Sequence, residues 1–278
     1  MFINEVIIMY VIKANGEKEE FNPEKIRSSL TRANVDRTIS DEIIKQVEKE
    51  AFDGITTAAI FRRVMELLKN RSPARASCYD LKDAIKRLGP AGFPFETFIA
   101  EILKENGFKT MLRTRLRGKC AEHEIDVIAT DNNGKRFLIE CKFHNYPGTY
   151  IDLKEALYTY ARLLDLNNGN NSFDGVWLSC NTKASIEAQK YAECMNIKLL
   201  CWRHPKDRSL EKMIAEKNLY PITILQSAGP DIIKRFSKAG YILVKDLLQE
   251  DFRNIGRKTG LKDRKIRELV DEAREICC

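Results

Sequence analysis

Apolar residues in the first ninety positions recur mostly at helical spacing, after one short strand pair. The segment YVIKANGEKEEF turns at Asn15-Gly16, a dipeptide that favours tight hairpins. Asn22 and Pro23 then predict a helix start, because Asn caps free backbone N–H groups and Pro fits the first helical position. Further helical periodicity runs through SDEIIKQVEKEAF, TTAAIFRRVMELLKN and PARASCYDLKDAIKRL. The segment LGPAGFPF, residues 88–95, is rich in proline and glycine and predicts a linker.

Strand-like and helical patterns alternate in residues 93–204. A helix, FETFIAEILKENG, precedes three strand-like segments, FKTMLRTRL, IDVIAT and RFLIECKF. The chain continues with a helix around DLKEALYTYARLLDL, a strand FDGVWLSC, a helix TKASIEAQKYAECM and a strand IKLLCW. This order predicts a mixed sheet that is covered by helices.

Residues 205–278 carry only helical patterns, which we expect to break at Gly240, Gly256 and Gly260. The whole pattern predicts a multidomain α/β chain with domains at 1–90, 93–204 and 205–278. The first domain is mostly helical, the second is an α/β core with a mixed sheet flanked by helices, and the third is all-α.

Composition places the chain among soluble globular proteins, with 44% hydrophobic and 31% charged residues. No window approaches the roughly 18 apolar residues of a membrane span, so we expect no membrane partner. The start, MFINEVIIMY, is too short and too acidic for a signal peptide, which makes residues 1–8 an optional extension before a second candidate start at Met9. Eight cysteines without a CxxC pair argue against a zinc ribbon or a disulfide framework and favour a reducing cytoplasm.

Charge is concentrated in two basic segments. Residues 109–119 hold five basic residues and no acid, and residues 251–267 hold seven basic residues against two acids. Two such patches suggest a polyanion that is bound at two places, although solvated surface charge is the plainer interpretation. The candidate DNA contacts are Arg113, Arg115, Arg117, Lys119, Arg257, Lys258, Lys262 and Lys265.

The segment HEIDVIATDNNGKRFLIECKF, residues 123–143, predicts a hairpin with charges near its middle. Pairing about the Asn/Gly loop places Asp126 roughly opposite Glu140, and alternation puts Lys142 on the same face as Glu140. Two adjacent carboxylates raise each other's pKa unless a cation lies between them, and a hard divalent ion with oxygen ligands resolves that conflict. Lys142 could then orient a water or stabilise a phosphate.

An acid two positions before a lysine is weak evidence by itself, because it occurs four times in the chain. Three of these pairs lie in helical or turn patterns, where a spacing of two does not bring side chains to one face. Only Glu140 and Lys142 lie in an apolar strand with an acid across the turn. A hairpin with one solvated face is the alternative for an arbitrary sequence.

These motifs, in the order FE, GF, basic strand residues, EIDVIA and LIECKF, resemble the PD-(D/E)xK nuclease superfamily, and most closely Mrr-like restriction endonucleases and Holliday junction resolvases. The resemblance covers about residues 93–204 and implies a Mg²⁺- or Mn²⁺-dependent DNA endonuclease. It assigns Glu96, Asp126 and Glu140 as metal ligands and Lys142 as the catalytic lysine. Glu101 is a rival to Glu96 for the helix acid, on a different helix face.

The N-terminal pattern VIKANGEKEEFNPEKIRSSL, with the later DGITTAAI, is similar to the ATP-cone, a nucleotide-sensing domain. The resemblance covers about residues 9–90. It implies an ATP or dATP site lined by Val11, Lys13, Glu19, Asn22, Lys25, Ile26 and Thr57. Because the chain has no P-loop motif, we expect the nucleotide to regulate the protein rather than to supply chemical energy.

The C-terminal segment resembles a helix-hairpin-helix DNA-binding fold, with AGYILVKDLL and GLKDRKIRELVDEA as its paired helices. Such a fold presents backbone N–H groups at a glycine turn, here around Gly256 and Gly260, to DNA phosphates. A plain helical packing or dimerisation module is the alternative. For the whole chain we expect a homodimer or higher oligomer. A nucleotide-responsive DNA-binding regulator whose nuclease fold does not cleave remains open as a second function.

Overall fold

The computed structural model describes residues 9–89, 94–146 and 148–277. The chain divides into two compact units, residues 1–81 and residues 82–278. The proposed optional extension, residues 1–8, and the centre of the predicted linker, residues 90–93, lie outside the described residues. No helix in the described ranges is both long enough and apolar enough to cross a membrane.

The first unit joins a small sheet to a helical bundle. Its strands are β1 (Tyr10–Ile12), β2 (Lys18–Glu20) and β3 (Ile55–Thr56), in the order β2-β1-β3. Its helices are α1 (Pro23–Arg32), α2 (Arg37–Glu50), α3 (Thr57–Arg71) and α4 (Pro73–Tyr79).

The predicted hairpin and helix start of this unit are both present. β1 and β2 are antiparallel, and Gly16 has a positive φ of 84° in the turn between them. Asn22 caps α1 by accepting a hydrogen bond from the Glu24 N–H at 2.9 Å, and Pro23 is the first helical residue. The two-residue strand β3 had not been predicted; it pairs in parallel with β1.

A mixed five-stranded sheet forms the centre of the second unit, as far as the described residues go, in the order β10-β8-β6-β5-β4. The three strands from β10 to β6 are parallel, and the β6-β5 and β5-β4 pairs are antiparallel. β4 is therefore an edge strand. The sheet strands are β4 (Lys109–Arg117), β5 (Glu122–Thr130), β6 (Arg136–Lys142), β8 (Gly175–Cys180) and β10 (Lys198–Leu200).

Helices cover this sheet as the alternating pattern predicted. They are α6 (Phe95–Glu105), α7 (Leu153–Asn167) and α8 (Ile186–Cys194). The short helix α5 (Leu81–Lys86) precedes them in the chain, and the short strands β7 (Tyr150–Ile151) and β9 (Lys183–Ala184) pair with each other. Helix α6 packs on β4 to β6, whereas α7 packs on β8 and α8. Apolar residues of α7, among them Leu163 and Leu166, join Ile128 and Leu138 of the sheet in one buried cluster. Such burial is the main stabilising contribution to the unit.

The C-terminal part is helical apart from an isolated bridge between Pro221 and Leu243. Its helices are α9 (Leu210–Glu216), α10 (Pro230–Ala239), α11 (Val244–Gln249), α12 (Phe252–Thr259) and α13 (Asp263–Cys277). Two of the predicted breaks are confirmed, since Gly240 and Gly260 end α10 and α12 in the left-handed conformation.

The predicted break at Gly256 is wrong, because Gly256 lies inside α12. A Cβ atom at this position would lie 3.5 Å from Ile266 Cδ1 of α13, which is ordinary van der Waals contact, so neither a turn nor a close approach requires glycine here. The glycine turn thus lies at Gly260 and not at Gly256, and the Gly260 N–H donates to the Gly256 carbonyl at 2.8 Å.

Candidate active site

Strands β5 and β6 part at the predicted acids. Regular pairing runs from Thr130 opposite Arg136 to Val127 opposite Ile139, and the next position in this register would place Asp126 opposite Glu140. The ladder stops there, and the Asp126 carboxylate instead accepts the Cys141 backbone N–H at 2.7 Å. A side chain thus replaces a backbone carbonyl in the ladder, which opens the sheet between the two acids.

Strand β4 is distorted at the same height. Its register with β5 is continuous on both sides of Arg113, but Arg113 and Asp126 do not form a regular pair. Arg113 has a φ of +46°, an unfavourable conformation for a residue with a long side chain. On β5, Ile125 and Ile128 both join the buried cluster. Side chains three residues apart face opposite sides of a regular strand, so the alternation of side-chain direction is interrupted between these two residues, near Asp126. Strained backbone conformations of this kind are frequent at functional sites.

The Glu140 carboxylate lies between two cations. Glu140 is 3% exposed. Its Oε1 is 2.6 Å from Lys142 Nζ, which confirms the predicted shared face, and its Oε2 pairs with Arg162 of α7. Two neighbouring cations stabilise an ionised carboxylate where burial alone would disfavour it.

Arg162 is a residue of the candidate site that the pattern analysis missed. It lies on α7 directly before Leu163 and three residues after Thr159, at the margin of the helix face that packs on the sheet. The signal that could have revealed it is a charged residue flanking a buried apolar stripe, on the helix that follows the motif strand. Tyr158, one turn earlier, is exposed and contacts Arg162.

The predicted helix acid Glu96 lies in the first turn of α6 and pairs with Arg113, Oε1 to Nη1, at 3.1 Å. Arg113 also donates to Thr97 Oγ1 at 3.2 Å. The rival acid, Glu101, instead pairs with Lys104 on the same helix. Of the two, Glu96 is the one that acts electrostatically on Asp126.

The pKa of Asp126 is raised from its usual 3.8 to about 6. Burial is the largest cause, and the negative charges of Glu140 and Glu96 add to it, against the Cys141 N–H and Lys142, which lower the pKa. The expected repulsion between the acids therefore raises the pKa of Asp126, although burial raises it more. A positive charge placed beside Asp126 would lower this pKa again.

The carboxylates of Asp126 and Glu140 are chemically suited to bind a divalent metal ion. Mg²⁺ is commonly held by one or two carboxylates together with waters and substrate phosphates, and Asp126 and Glu140 are such carboxylates on adjoining strands. Among the residues that the structure describes, no three His, Cys, Asp or Glu side chains come close enough together to hold a metal ion. Glu96 is engaged by Arg113 in this arrangement, so Asp126 and Glu140 form the core of the donor set.

A loop beside the site is held by Asp165 of α7. Its carboxylate accepts the backbone N–H groups of Cys120 and Ala121 at 2.8 and 3.2 Å, and its Oδ2 lies 2.8 Å from His123 Nε2. These hydrogen bonds, led by the one from His123, lower the pKa of Asp165. His123 is thus a structural partner of Asp165.

Changing Gly118 to Ala is expected to destabilise the second unit by about 1 to 3 kcal/mol. The new Cβ would lie 2.1 Å from Asp165 Oδ2, which the bonds to the loop prevent from moving away. Urea unfolding followed by tryptophan fluorescence reports on this unit alone, because both tryptophans, Trp177 and Trp202, belong to it. Gly256→Ala is the matched control, since a Cβ there meets only ordinary van der Waals contacts, the nearest at 3.5 Å. Equal midpoints for the two variants would contradict the prediction.

The predicted DNA contacts are mostly exposed, and several already have acidic partners. On β4, Arg115 pairs with Glu124 at 3.2 Å, while Arg117 and Lys119 are exposed. In the C-terminal helices, Lys258 pairs with Glu250 at 2.6 Å, and Lys265 pairs with Glu268 at 2.8 Å. Arg257 and Lys262 are exposed. Surface pairs of this kind are weak enough for a phosphate to replace the acid.

A separate cavity of about 220 Å³ lies in the first unit and gathers most of the predicted nucleotide-site residues. Outside the predicted set, Phe61 and Tyr79 stack with ring centroids 5.3 Å apart and line the same cavity. Glu19 pairs with Lys25 and, at 2.8 Å, with Lys13. The predicted residues in the lining are Val11, Glu19, Asn22, Lys25, Ile26 and Thr57.

Three protein-family models match consecutive parts of the chain. Residues 9–83 match the ATP cone domain, residues 91–203 match a restriction endonuclease domain, and residues 220–277 match the AF1548-like C-terminal domain. The resemblances to the ATP cone and to the restriction endonucleases are thereby confirmed, whereas the helix-hairpin-helix character of the C-terminal part stays a prediction.

An uncharacterized protein of Archaeoglobus fulgidus is 41% identical over 178 residues, which are 64% of this chain and 99% of the relative. The crystal structure of a protein of unknown function, AF1548, is 40% identical with a TM-score of 0.57, covering 66% of this chain and 96% of the other. A repair endonuclease from Pyrococcus abyssi is 20% identical with a TM-score of 0.30, covering 37% and 45%, an overlap too small to indicate a shared activity. The chain belongs to the AF1548-like family and carries an ATP cone ahead of a restriction endonuclease domain.

Proposed function

We propose that the protein is a divalent-metal-dependent DNA endonuclease that ATP or dATP regulates. The observation that carries the proposal is the convergence of Asp126, Glu140 and Lys142 where β5 and β6 part. Carboxylates would repel the phosphates of a ligand that is only bound, so their presence beside a lysine favours phosphodiester chemistry over binding alone. The restriction endonuclease domain supports the same class of reaction.

Asp126 and Glu140, with Glu96, would hold Mg²⁺ or Mn²⁺. Such an ion lowers the pKa of water and offsets the negative charge on the phosphate. The ladder between β5 and β6 ends beside Asp126, and β4, on the other side of β5, has a strained backbone at Arg113. A phosphate would enter at this point. In-line attack by water would form one P–O bond as another breaks; the attacking water gives up a proton and the leaving oxygen takes one.

Lys142 supplies the fixed positive charge of the site. Its ammonium group is held 2.6 Å from Glu140 and its side chain is 33% exposed, so it is ordered by the acid and still open to a substrate. From this position it orients the attacking water or donates to a phosphate oxygen, which favours the transition state through charge placed in advance.

The cone would act as a regulatory site. A triphosphate is attracted to lysines and to the positive end of the α1 helix dipole. Lys13 and Lys25 both pair with Glu19, and a bound phosphate would compete with that acid for them. We propose that the nucleotide thereby changes DNA access or the oligomeric state, for which a homodimer or higher oligomer is our expectation.

A second candidate is a nucleotide-responsive DNA-binding regulator that does not cleave. The observation in its favour is that Glu140 and Glu96 are already neutralised by basic side chains. Such a regulator would retain DNA in response to ATP or dATP without strand breaks under any metal.

The test is to incubate supercoiled, linear and branched DNA with the protein and Mg²⁺, Mn²⁺ or EDTA, with and without ATP or dATP. Nicking or linearisation that requires metal and responds to nucleotide supports the endonuclease. The Asp126→Asn variant is the matched control. Equal cleavage by both proteins would place any nuclease activity elsewhere, and nucleotide-dependent DNA retention without cleavage would favour the regulator.

A further inference from the structure

Arg162 binds the same carboxylate that the proposed function uses as a metal ligand. Its Nη1 pairs with Glu140 Oε2 and also donates to the Glu124 backbone carbonyl at 3.3 Å. Its Nη2 donates to Tyr158 Oη at 2.8 Å. One guanidinium thus joins β5, β6 and α7 at the point where the sheet opens.

The surroundings of Arg162 keep it in one orientation. The side chain is only 10% exposed, and the guanidinium lies 4.7 Å from the centre of the Tyr158 ring, which covers it. The helix that carries it is fixed to the sheet by Ala156 and Leu166, both fully buried. A planar guanidinium held in this way is a rigid reference for a carboxylate.

The two cations on Glu140 differ in exposure. Lys142 holds Oε1 with a side chain that is one-third exposed, whereas Arg162 holds Oε2 with a side chain that is only 10% exposed. With Arg162 removed, the carboxylate would be free to follow the lysine. The arginine is therefore the contact that fixes the direction in which Glu140 points.

Stability alone does not explain this arginine. Arg162 Nε is buried and has no hydrogen-bond partner among the described residues. A buried donor without a partner costs stability, and buried ion pairs can often be replaced by apolar residues without loss. The better explanation is that Arg162 holds the Glu140 carboxylate in one orientation.

We propose that Arg162 is a positioning residue that fixes the Glu140 carboxylate for divalent-metal binding and so sets the metal affinity of the site. This inference rests on the proposed function. Loss of the hydrogen-bonding partner of a metal ligand typically weakens metal binding about 10- to 100-fold.

The experiment is a Mn²⁺ titration of the full chain without DNA, with free Mn²⁺ followed by electron paramagnetic resonance. We expect Arg162→Met to weaken Mn²⁺ binding about 10- to 100-fold. Arg162→Lys should weaken it less, because the ammonium keeps a positive charge for Glu140 although it lacks the planar fork of the guanidinium. DNA cleavage by Arg162→Met should recover as Mn²⁺ is raised. Arg274→Met is the control, since Arg274 forms an exposed pair with Asp271 on α13.

A folded Arg162→Met variant with the Mn²⁺ affinity of the wild type would overturn the inference and leave the nuclease proposal intact. If tryptophan fluorescence shows that the methionine variant is unfolded, the lysine variant decides, and unchanged affinity there has the same meaning. Wild-type protein that binds no Mn²⁺, or binds it equally after Asp126→Asn, would overturn both proposals together.

Discussion

Replacing Asp126 with Asn is expected to lower metal-dependent DNA cleavage by about 10³-fold or more, because it removes several kcal/mol of charge stabilisation at the reacting phosphate. The variant should fold normally. Asn keeps the oxygen that accepts the Cys141 N–H, so the opening between β5 and β6 is retained. The measurement is the initial rate of plasmid nicking at saturating Mg²⁺ or Mn²⁺.

The same variant should be more stable than the wild type at neutral pH in EDTA. Burial and two neighbouring acids raise the pKa of Asp126 from 3.8 to about 6, so ionisation disfavours the folded state. The loss of folding stability on ionising Asp126 is absent below about pH 4, grows between about pH 4 and 6, and is constant above that range. After allowance for the partial exposure of Asp126, we expect the Asn variant to gain about 1 to 2 kcal/mol in free energy of unfolding.

Urea unfolding followed by tryptophan fluorescence measures this gain. The difference between Asp126→Asn and wild type should widen from pH 4 to pH 6 and then stay constant. Added Mg²⁺ should stabilise the wild type alone, because only its ionised carboxylate binds the metal. A variant that is less stable at pH 7, or that cleaves DNA at the wild-type rate, would contradict the assignment of Asp126.

Replacing Lys25 with Met should weaken ATP or dATP binding about 10- to 100-fold, because it removes one charge-assisted contact worth about 1.5 to 3 kcal/mol. Lys25 lines the cavity of the first unit and lies two residues after the start of α1, where phosphate is favoured. Isothermal titration calorimetry with each nucleotide measures the affinity directly.

The matched control is Lys45→Met, an exposed lysine of α2 that is not among the lining residues of the cavity. It should bind nucleotide as the wild type does. Identical affinities for Lys25→Met and wild type would mean that the cavity is not the phosphate site, even if the cone binds nucleotide elsewhere.

The closeness of Asp126, Glu140 and Lys142 could be predicted because it depends on local rules. The Asn/Gly loop sets the hairpin register, Gly134 adopts the expected positive φ of 80°, and strand alternation places Glu140 beside Lys142. The α-helix after the motif strand was also predicted, since its apolar spacing is regular.

Contacts between elements could not be predicted in the same way. The bond from Arg162 to Glu140 depends on how α7 rotates as it packs, and the pair of Glu96 with Arg113 depends on a backbone conformation that no local pattern favours. The break at Gly256 was predicted wrongly because the sequence does not distinguish a glycine inside a helix from a glycine that ends one. The two-residue strands are too short to show alternation.

The arginines of β4, Arg113, Arg115 and Arg117, also affect the solubility of the protein. β4 is the outer strand of its sheet, and Met111 on it is 59% exposed. An edge strand offers unpaired backbone groups to other chains, and charged side chains are a common protection against such pairing. Removing Arg115 and Arg117 in order to weaken DNA binding should therefore also promote aggregation, so the loss of DNA binding has to be measured on the monodisperse fraction.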